Sequence, residues 1–241
     1  MIVLYTDFGV TDPYVGQMRA VLAREAPGVP VIDLLHAVPD FDIRAGAYLL
    51  AALAAQFPPG AVFVGVVDPG VGGVRRPVML RADGRWYVGP DNGLFHIVAR
   101  RARTAEWWRI DWRPARLSAS FHGRDLFAPV AARLARGEAV AATACEPEMP
   151  ADEWPEDLPA IIYIDHYGNA MTGLRAAGVD PDAVLAVAGR QLQHAPVFSA
   201  VTPGMPFWYE NSIGLIEVAE NRGSAAATLG LRLGDPVELV I

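Results

Sequence analysis

The first half of the chain alternates short apolar runs with amphipathic stretches. Residues 2–5 are an apolar run that ends at Thr6-Asp7-Phe8-Gly9, the pattern of a strand feeding a loop. Pro13 opens a helix with Asp12 before it as N-cap, and the helix runs to residue 26, ahead of Pro27-Gly28. Residues 29–34 form a second strand. Asp42 caps a helix through Phe57 that stops at Pro58-Pro59-Gly60. Residues 61–67 are continuously apolar, as in a strand covered on both faces. Strand, helix, strand, helix, strand implies an α/β layer with a largely parallel sheet. Residues 77–82 and 85–89 flank Asp83-Gly84, a hairpin turn signal, so part of the sheet is antiparallel. Residues 94–102 and 124–136 read as helices.

The pattern changes after Cys145. Residues 146–159 hold six acids and four prolines with little periodicity, which predicts a linker. Short strands follow at residues 160–165, 184–187, 214–218 and 236–241, punctuated by Gly and Pro. The organisation is an α/β domain at residues 1–145, an acidic Pro-rich linker at 146–159 and a smaller, mostly β domain at 160–241.

Composition narrows the chemistry. Of 241 residues, 52% are hydrophobic and 20% charged, so a packed core forms rather than a disordered chain. Twenty basic against 27 acidic residues give a net charge of −7, which argues against non-specific nucleic-acid binding. All 20 basic residues are arginine. Without lysine there is no Schiff base, no pyridoxal-phosphate anchor and no phosphate-loop lysine. The single cysteine, Cys145, excludes an intrachain disulfide and a cysteine-based zinc site. The start of the chain lacks a basic leader. The most apolar long stretch, residues 45–57, is shorter than the roughly 20 residues that span a bilayer. The reading is a cytoplasmic protein with no membrane partner.

Candidate chemistry sits where strands end. In parallel α/β sheets ligands bind beyond the carboxyl ends of the strands, and right-handed crossovers give the first and third strands the same sense. Asp7 and Asp68 then meet at one edge. Asp68-Pro69-Gly70-Val71-Gly72-Gly73 is a turn through which backbone approaches a ligand, with Arg75 close behind. It equally fits a structural loop closed by an Asp68–Arg75 ion pair. His122, before a predicted helix and beside Gly123, serves as a general base or as a helix-capping loop residue. No HExxH or HxH pair marks a metal site. Tyr163, Tyr167, Phe198, Phe207, Trp208 and Tyr209 sandwich a purine or fill a core or subunit interface. Asn169, Asn211 and Ser212 offer neutral polar groups for an adenine edge or a carboxylate, and Asp165-His166 ends a strand. Taken alone, the residues lead as far as an α/β protein with an acidic, arginine- and histidine-bearing cleft.

An ordered series of motifs goes further. It runs Thr6-Asp7-Phe8-Gly9 with Tyr14 and Gly16, Asp68-Pro69-Gly70-Val71-Gly72 with Arg75, and Gly89-Pro90-Asp91-Asn92-Gly93. Phe121-His122-Gly123-Arg124-Asp125 follows, with Phe127-Ala128-Pro129. The series closes with Asp165-His166-Tyr167-Gly168-Asn169-Ala170-Met171-Thr172, Asn211-Ser212-Ile213-Gly214 and Asn221-Arg222-Gly223-Ser224-Ala225. Across nearly its whole length the chain resembles the S-adenosylmethionine hydroxide adenosyltransferase family, relatives of the fluorinating and chlorinating enzymes. The resemblance implies an N-terminal α/β/α layered domain, a smaller C-terminal β-barrel-like domain, and a homotrimer with sites shared between subunits. It implies hydroxide attack on C5′ of S-adenosyl-L-methionine, giving adenosine and L-methionine, with no cofactor and no metal; the competing readings are a metal-dependent phosphoesterase using Asp7, Asp68 and His122 as ligands, and a non-catalytic adenosine or S-adenosylmethionine sensor. The family's Asp-Arg-His set falls on Asp68, Arg75 and His122, which the halogenating relatives lack. By the same resemblance Asp7 binds the ribose hydroxyls with Asp12 nearby. Asp165, Tyr167, Asn169, Asn211 and Ser212 hold the methionine and adenine ends from the neighbouring subunit.

Overall fold

A computed structural model describes residues 1–149 and 153–240. The chain divides into two compact units, Met1–Glu153 and Trp154–Ile241. Part of the expected linker, residues 150–152, and the last residue of the expected final strand, Ile241, lie outside the described residues.

In the first unit β1 (Ile2–Thr6), β2 (Val31–Leu35), β3 (Val62–Val66), β4 (Pro77–Ala82), β5 (Arg85–Pro90), β6 (Ala105–Ile110) and β7 (Ala142–Ala144) form one sheet. Its order is β2-β1-β3-β5-β4-β6-β7. The pairs β1–β2, β1–β3 and β3–β5 are parallel, and the three pairs made by β4 and β6 are antiparallel, so the sheet is mixed rather than largely parallel as expected, because the β4–β5 hairpin and the strands after it add antiparallel. Every residue of β1 and β3 is buried, which is why both read as unbroken apolar runs. The helices α1 (Pro13–Glu25), α2 (Ile43–Ala54), α3 (His96–Arg101) and α4 (Ala128–Ala135) supply the covering layers. One core places Met18 and Leu22 of α1 and Val130 and Ala131 of α4 with Leu4 and Val64. The other places Leu50 of α2 and Val98 of α3 with Val3 and Phe63.

Local signals behave as expected at several points. Asp42 accepts the Ala45 N–H at 2.9 Å and caps α2. Asp83 and Gly84 both adopt positive φ, and their two-residue turn joins β4 to β5. Two details differ. Asp12 occupies the N-cap position of α1 but its side chain makes no capping bond. The helix expected from residue 124 begins as a π-helical turn, Gly123–Phe127, before α4.

The second unit is mostly β, with β8 (Leu158–Ile164), β9 (Ala170–Arg175), β10 (Val184–Val187), β11 (Arg190–Leu192), β12 (Pro206–Glu210), β13 (Leu215–Glu220) and β14 (Val237–Val240). They form two antiparallel sheets, β12-β13-β9-β8 and β11-β10-β14, around a core that includes Ile161, Leu185, Trp208 and Val218. Isolated bridges pair Ala160 with Pro236 and His194 with Trp208. A short helix, α5 (Ala225–Leu229), starts at Ser224, whose hydroxyl accepts the Ala227 N–H.

Candidate active site

The order β2-β1-β3 makes the chain leave β1 in opposite directions, so the carboxyl ends of β1 and β3 form a topological switch point. Asp7 follows β1, and Asp68 follows β3 by two residues. Both face a cavity of about 370 Å³, which His122 also lines.

Asp68 and His122 line this cavity, and Arg75, which does not, ties the two into one hydrogen-bonded unit. Arg75 donates from Nε to Asp68 Oδ1 at 3.0 Å and from Nη2 to Asp68 Oδ2. The same Nη2 lies 2.9 Å from His122 Nδ1. The Asp68 and Arg75 side chains are only 4% and 9% exposed, so this pair is held in a dry setting. The guanidinium also stands over the Phe127 ring, 5.3 Å from its centroid. A loop ion pair therefore exists, and it is joined to the histidine.

An arginine cannot accept a hydrogen bond, so His122 Nδ1 accepts and the neutral ring carries its proton on Nε2. Burial, and then the Arg75 charge, hold the His122 pKa below its ordinary value, while Asp68 opposes them. His122 makes no capping bond to the following turn.

The loops that carry these groups are fastened from behind. Asp125 accepts the Ser118 N–H at 2.9 Å, and Arg124 donates to Gln17 of α1 at 2.8 Å. Gly72 has φ +77°, and a Cβ there would lie 2.3 Å from the Ala119 carbonyl oxygen. Only glycine lets the 68–75 loop pack against the 118–121 segment.

Asp7 accepts the Phe41 N–H through Oδ2 at 3.2 Å. Its pKa is raised chiefly by burial, against the lowering effect of that N–H. Sequence reasoning missed Phe41, which lines the cavity with φ 62° and a 73% exposed ring. A bulky residue in that conformation is strained. The signal available was its place in Pro39-Asp40-Phe41-Asp42, just past the carboxyl end of β2. Also missed was an aromatic wall on this side: Phe8, Tyr14 and Phe121 pack edge to face or tilted at 5.6–5.8 Å.

The remaining candidates lie elsewhere. Asp12 does not line this cavity, although its carboxylate stands over Gly9. In the second unit Asp165, Tyr167 and Asn169 come together at a cavity of about 610 Å³, with Phe198, Tyr209 and Glu220. Asp165 accepts from the N–H groups of Tyr167 and Asn169 and from the Asn169 amide, each at 2.9 Å. Asn211 and Ser212 do not line it. Asn211 is buried: its Oδ1 accepts from Ile213 and Leu215, and its amide donates to Glu217 at 2.7 Å. Glu217 also accepts the Tyr209 hydroxyl, and its pKa is raised chiefly by burial.

Among the described residues no three His, Cys, Asp or Glu side chains gather as a group able to hold a metal ion. Asp7, Asp68 and His122 share a cavity, but both Asp68 oxygens are engaged by Arg75. Among the described residues no helix is long and apolar enough to cross a membrane.

A switch-point cavity with an Asp-Arg-His unit defines an α/β protein built to bind a small polar molecule beside a preorganised charge cluster. Comparison with known proteins narrows the class. Residues 2–144 match the SAM hydroxide adenosyltransferase N-terminal domain, and residues 159–238 match the C-terminal domain of the same family. The chain belongs to this family. It is 44% identical over 258 residues to a protein of Thermus thermophilus named (R)-S-adenosyl-L-methionine hydrolase, covering 98% of this chain and 97% of the relative. A Salinispora arenicola protein of the same name is 41% identical, with 97% and 95% covered. A crystal structure of an uncharacterized conserved protein from Thermotoga maritima superposes with a TM-score of 0.91 at 31% identity, covering all of both chains.

Proposed function

We propose that this protein hydrolyses S-adenosyl-L-methionine by attack of a water-derived nucleophile on C5′, releasing adenosine and L-methionine. The observation that carries the reading is Arg75, which bonds Asp68 with two N–H groups and His122 with a third contact at the switch-point cavity. Family membership and the printed names of the relatives at 44% and 41% identity support it.

The sulfonium is already a good leaving group, so neither an acid nor a cofactor is needed to activate it. The task is to present a desolvated oxygen nucleophile in line with the C–S bond. The new C5′–O bond forms as the C5′–S bond breaks, and its electron pair neutralises the sulfonium. One proton leaves the water. His122 Nδ1 is engaged by Arg75, so its Nε2–H donates to the water oxygen and orients it. Asp68 keeps lone pairs beyond its two bonds to Arg75 and takes the proton. Arg75 stabilises the negative charge developing on the oxygen.

Asp7, held by the Phe41 N–H, accepts from the two cis hydroxyls of the ribose. Asp165, Tyr167 and Asn169 contact the adenine and methionine ends from a neighbouring subunit of a homotrimer. Asn211 serves by shaping the 211–215 turn, because its amide is already engaged there. For the second unit we extend the two-sheet description to a barrel-like arrangement. The bridges Ala160–Pro236 and His194–Trp208, which tie the edges of one sheet to those of the other, support it.

The test is incubation of the purified chain with S-adenosyl-L-methionine in the presence of a strong chelator, followed by chromatography. Adenosine and L-methionine in equal amounts support the reading. Activity abolished by the chelator turns the assignment to metal chemistry, and bound but intact substrate turns it to a sensor.

A further inference from the structure

Glu220 ends β13 and lines the 610 Å³ cavity of the second unit, yet no role in the reaction falls to it so far. It is 8% exposed, and its Oε2 is buried with no hydrogen-bond partner among the described residues. A buried carboxylate is costly unless donors surround it. The carboxylate packs closely on the backbone of Gly223, where a Cβ would lie 1.9 Å from Glu220 Oε1 and displace the side chain from this position. Neighbouring Asp165 already accepts three hydrogen bonds from its own loop, whereas Glu220 Oε2 accepts none among the described residues. The facing walls are aromatic. Phe198 packs 5.3 Å from both Phe207 and Tyr209, and Tyr167 is 73% exposed.

We infer that Glu220 is a specificity-determining residue that accepts a hydrogen bond from the exocyclic amine of an aminopurine and rejects a 6-oxopurine. Flat aromatic walls suit a heteroaromatic ring, and the carboxylate, an acceptor only, suits an amine on its edge. A carbonyl in that place sets acceptor against acceptor, which is discrimination by repulsion; Arg222, which also lines the cavity, is the cation that could offset it. The inference rests on the nucleoside reading given above.

The experiment is calorimetric binding of adenosine, inosine and L-methionine to the full chain, wild type and Glu220→Gln, with turnover of S-adenosyl-L-methionine by the wild type measured alongside. The wild type should prefer adenosine to inosine by at least about 100-fold. Glu220→Gln, which can donate to a 6-oxo group, should narrow that ratio by about 10- to 100-fold, the scale of one hydrogen bond to a charged group. Methionine binding should not move. The wild-type ratios need no variant: purine riboside, which lacks both the amine and the 6-oxo group, should bind more weakly than adenosine but more tightly than inosine. An unchanged ratio in Glu220→Gln, a wild type that binds adenosine and inosine alike, or a loss confined to methionine each overturns the inference. Selective adenosine binding by a wild type that leaves S-adenosyl-L-methionine intact sinks the hydrolase reading and leaves Glu220 standing.

Discussion

Replacing Arg75 by lysine keeps the charge and removes the fork, which makes it the sharpest perturbation of the catalytic unit. The guanidinium reaches both Asp68 oxygens and His122 Nδ1 at once. A lysine ammonium is a single point on a flexible stem and holds one of these three partners well. Two charge-assisted hydrogen bonds are therefore lost, at about 1.5–3 kcal/mol each. Their sum, about 3–6 kcal/mol, corresponds to a fall of about 10²–10⁴ in rate at about 1.36 kcal/mol per tenfold, if the loss is expressed in the transition state. Single-turnover rates at saturating substrate isolate that step from binding. Thermal unfolding of the same variant shows whether the fold survives. The same bonds hold the free protein, so the melting temperature should drop by no more than roughly 6–24 °C, at about 2–4 °C per kcal/mol, while the single-turnover rate falls by at least about 100-fold. A variant with near-wild-type single-turnover rates refutes the claim that the Asp68–Arg75–His122 geometry acts on the nucleophile. A large loss of stability with turnover per bound substrate intact reduces the unit to a loop fastening.

Other outcomes follow from the same geometry. Because the His122 pKa is lowered, the folded state binds fewer protons than the unfolded state at this residue. Both stability and kcat/KM should therefore fall as pH drops from 6.5 through the folded-state value, and the His122→Ala variant should lose that acid limb in a pH–stability profile. Asp7→Ala should raise KM far more than it lowers kcat, and that penalty should vanish with a substrate analogue lacking the ribose hydroxyls; an equal penalty on the analogue removes Asp7 from the ribose. Asn211→Ala leaves the Ile213 and Leu215 N–H groups and one Glu217 oxygen without their partner. It should cost about 1–3 kcal/mol in denaturant unfolding, and an unaltered midpoint would show that solvent replaces those bonds. Sedimentation should give a trimer, and a fully active monomer would defeat the shared-site arrangement.

The parts of this fold that the sequence displayed clearly are those governed by local patterns. β1 and β3 are buried on both faces and read as apolar runs. The caps and turns at Asp42 and Asp83-Gly84 carry their own chemistry. Strands stabilised by their neighbours were hidden. In β6, Ala-Glu-Trp-Trp-Arg-Ile mixes exposed and half-buried positions, and it forms because it pairs with β4 and β7. The same holds for β9 and β12 in the second unit, which pair on either side of β13. Within the site, strand ends and sheet order sufficed to bring Asp7 and Asp68 together, since both depend on topology alone. The reach of Arg75 to His122, 47 residues away, depends on how the 68–75 and 118–121 loops pack, and no local signal encodes that. Nor does a motif show where an amide is satisfied. Asn211 sits in a motif beside Ser212, yet its polar atoms are spent on its own turn and on Glu217.

The central claim is that a water oxygen attacks C5′ of S-adenosyl-L-methionine within the Asp68–Arg75–His122 unit. Its most direct test is a single incubation of the wild-type chain with substrate in ¹⁸O-labelled water, followed by mass spectrometry of the products. The account predicts adenosine carrying one ¹⁸O at its 5′ oxygen and L-methionine with none. Label in the amino-acid product, label in neither product, or a nucleoside other than adenosine would contradict it.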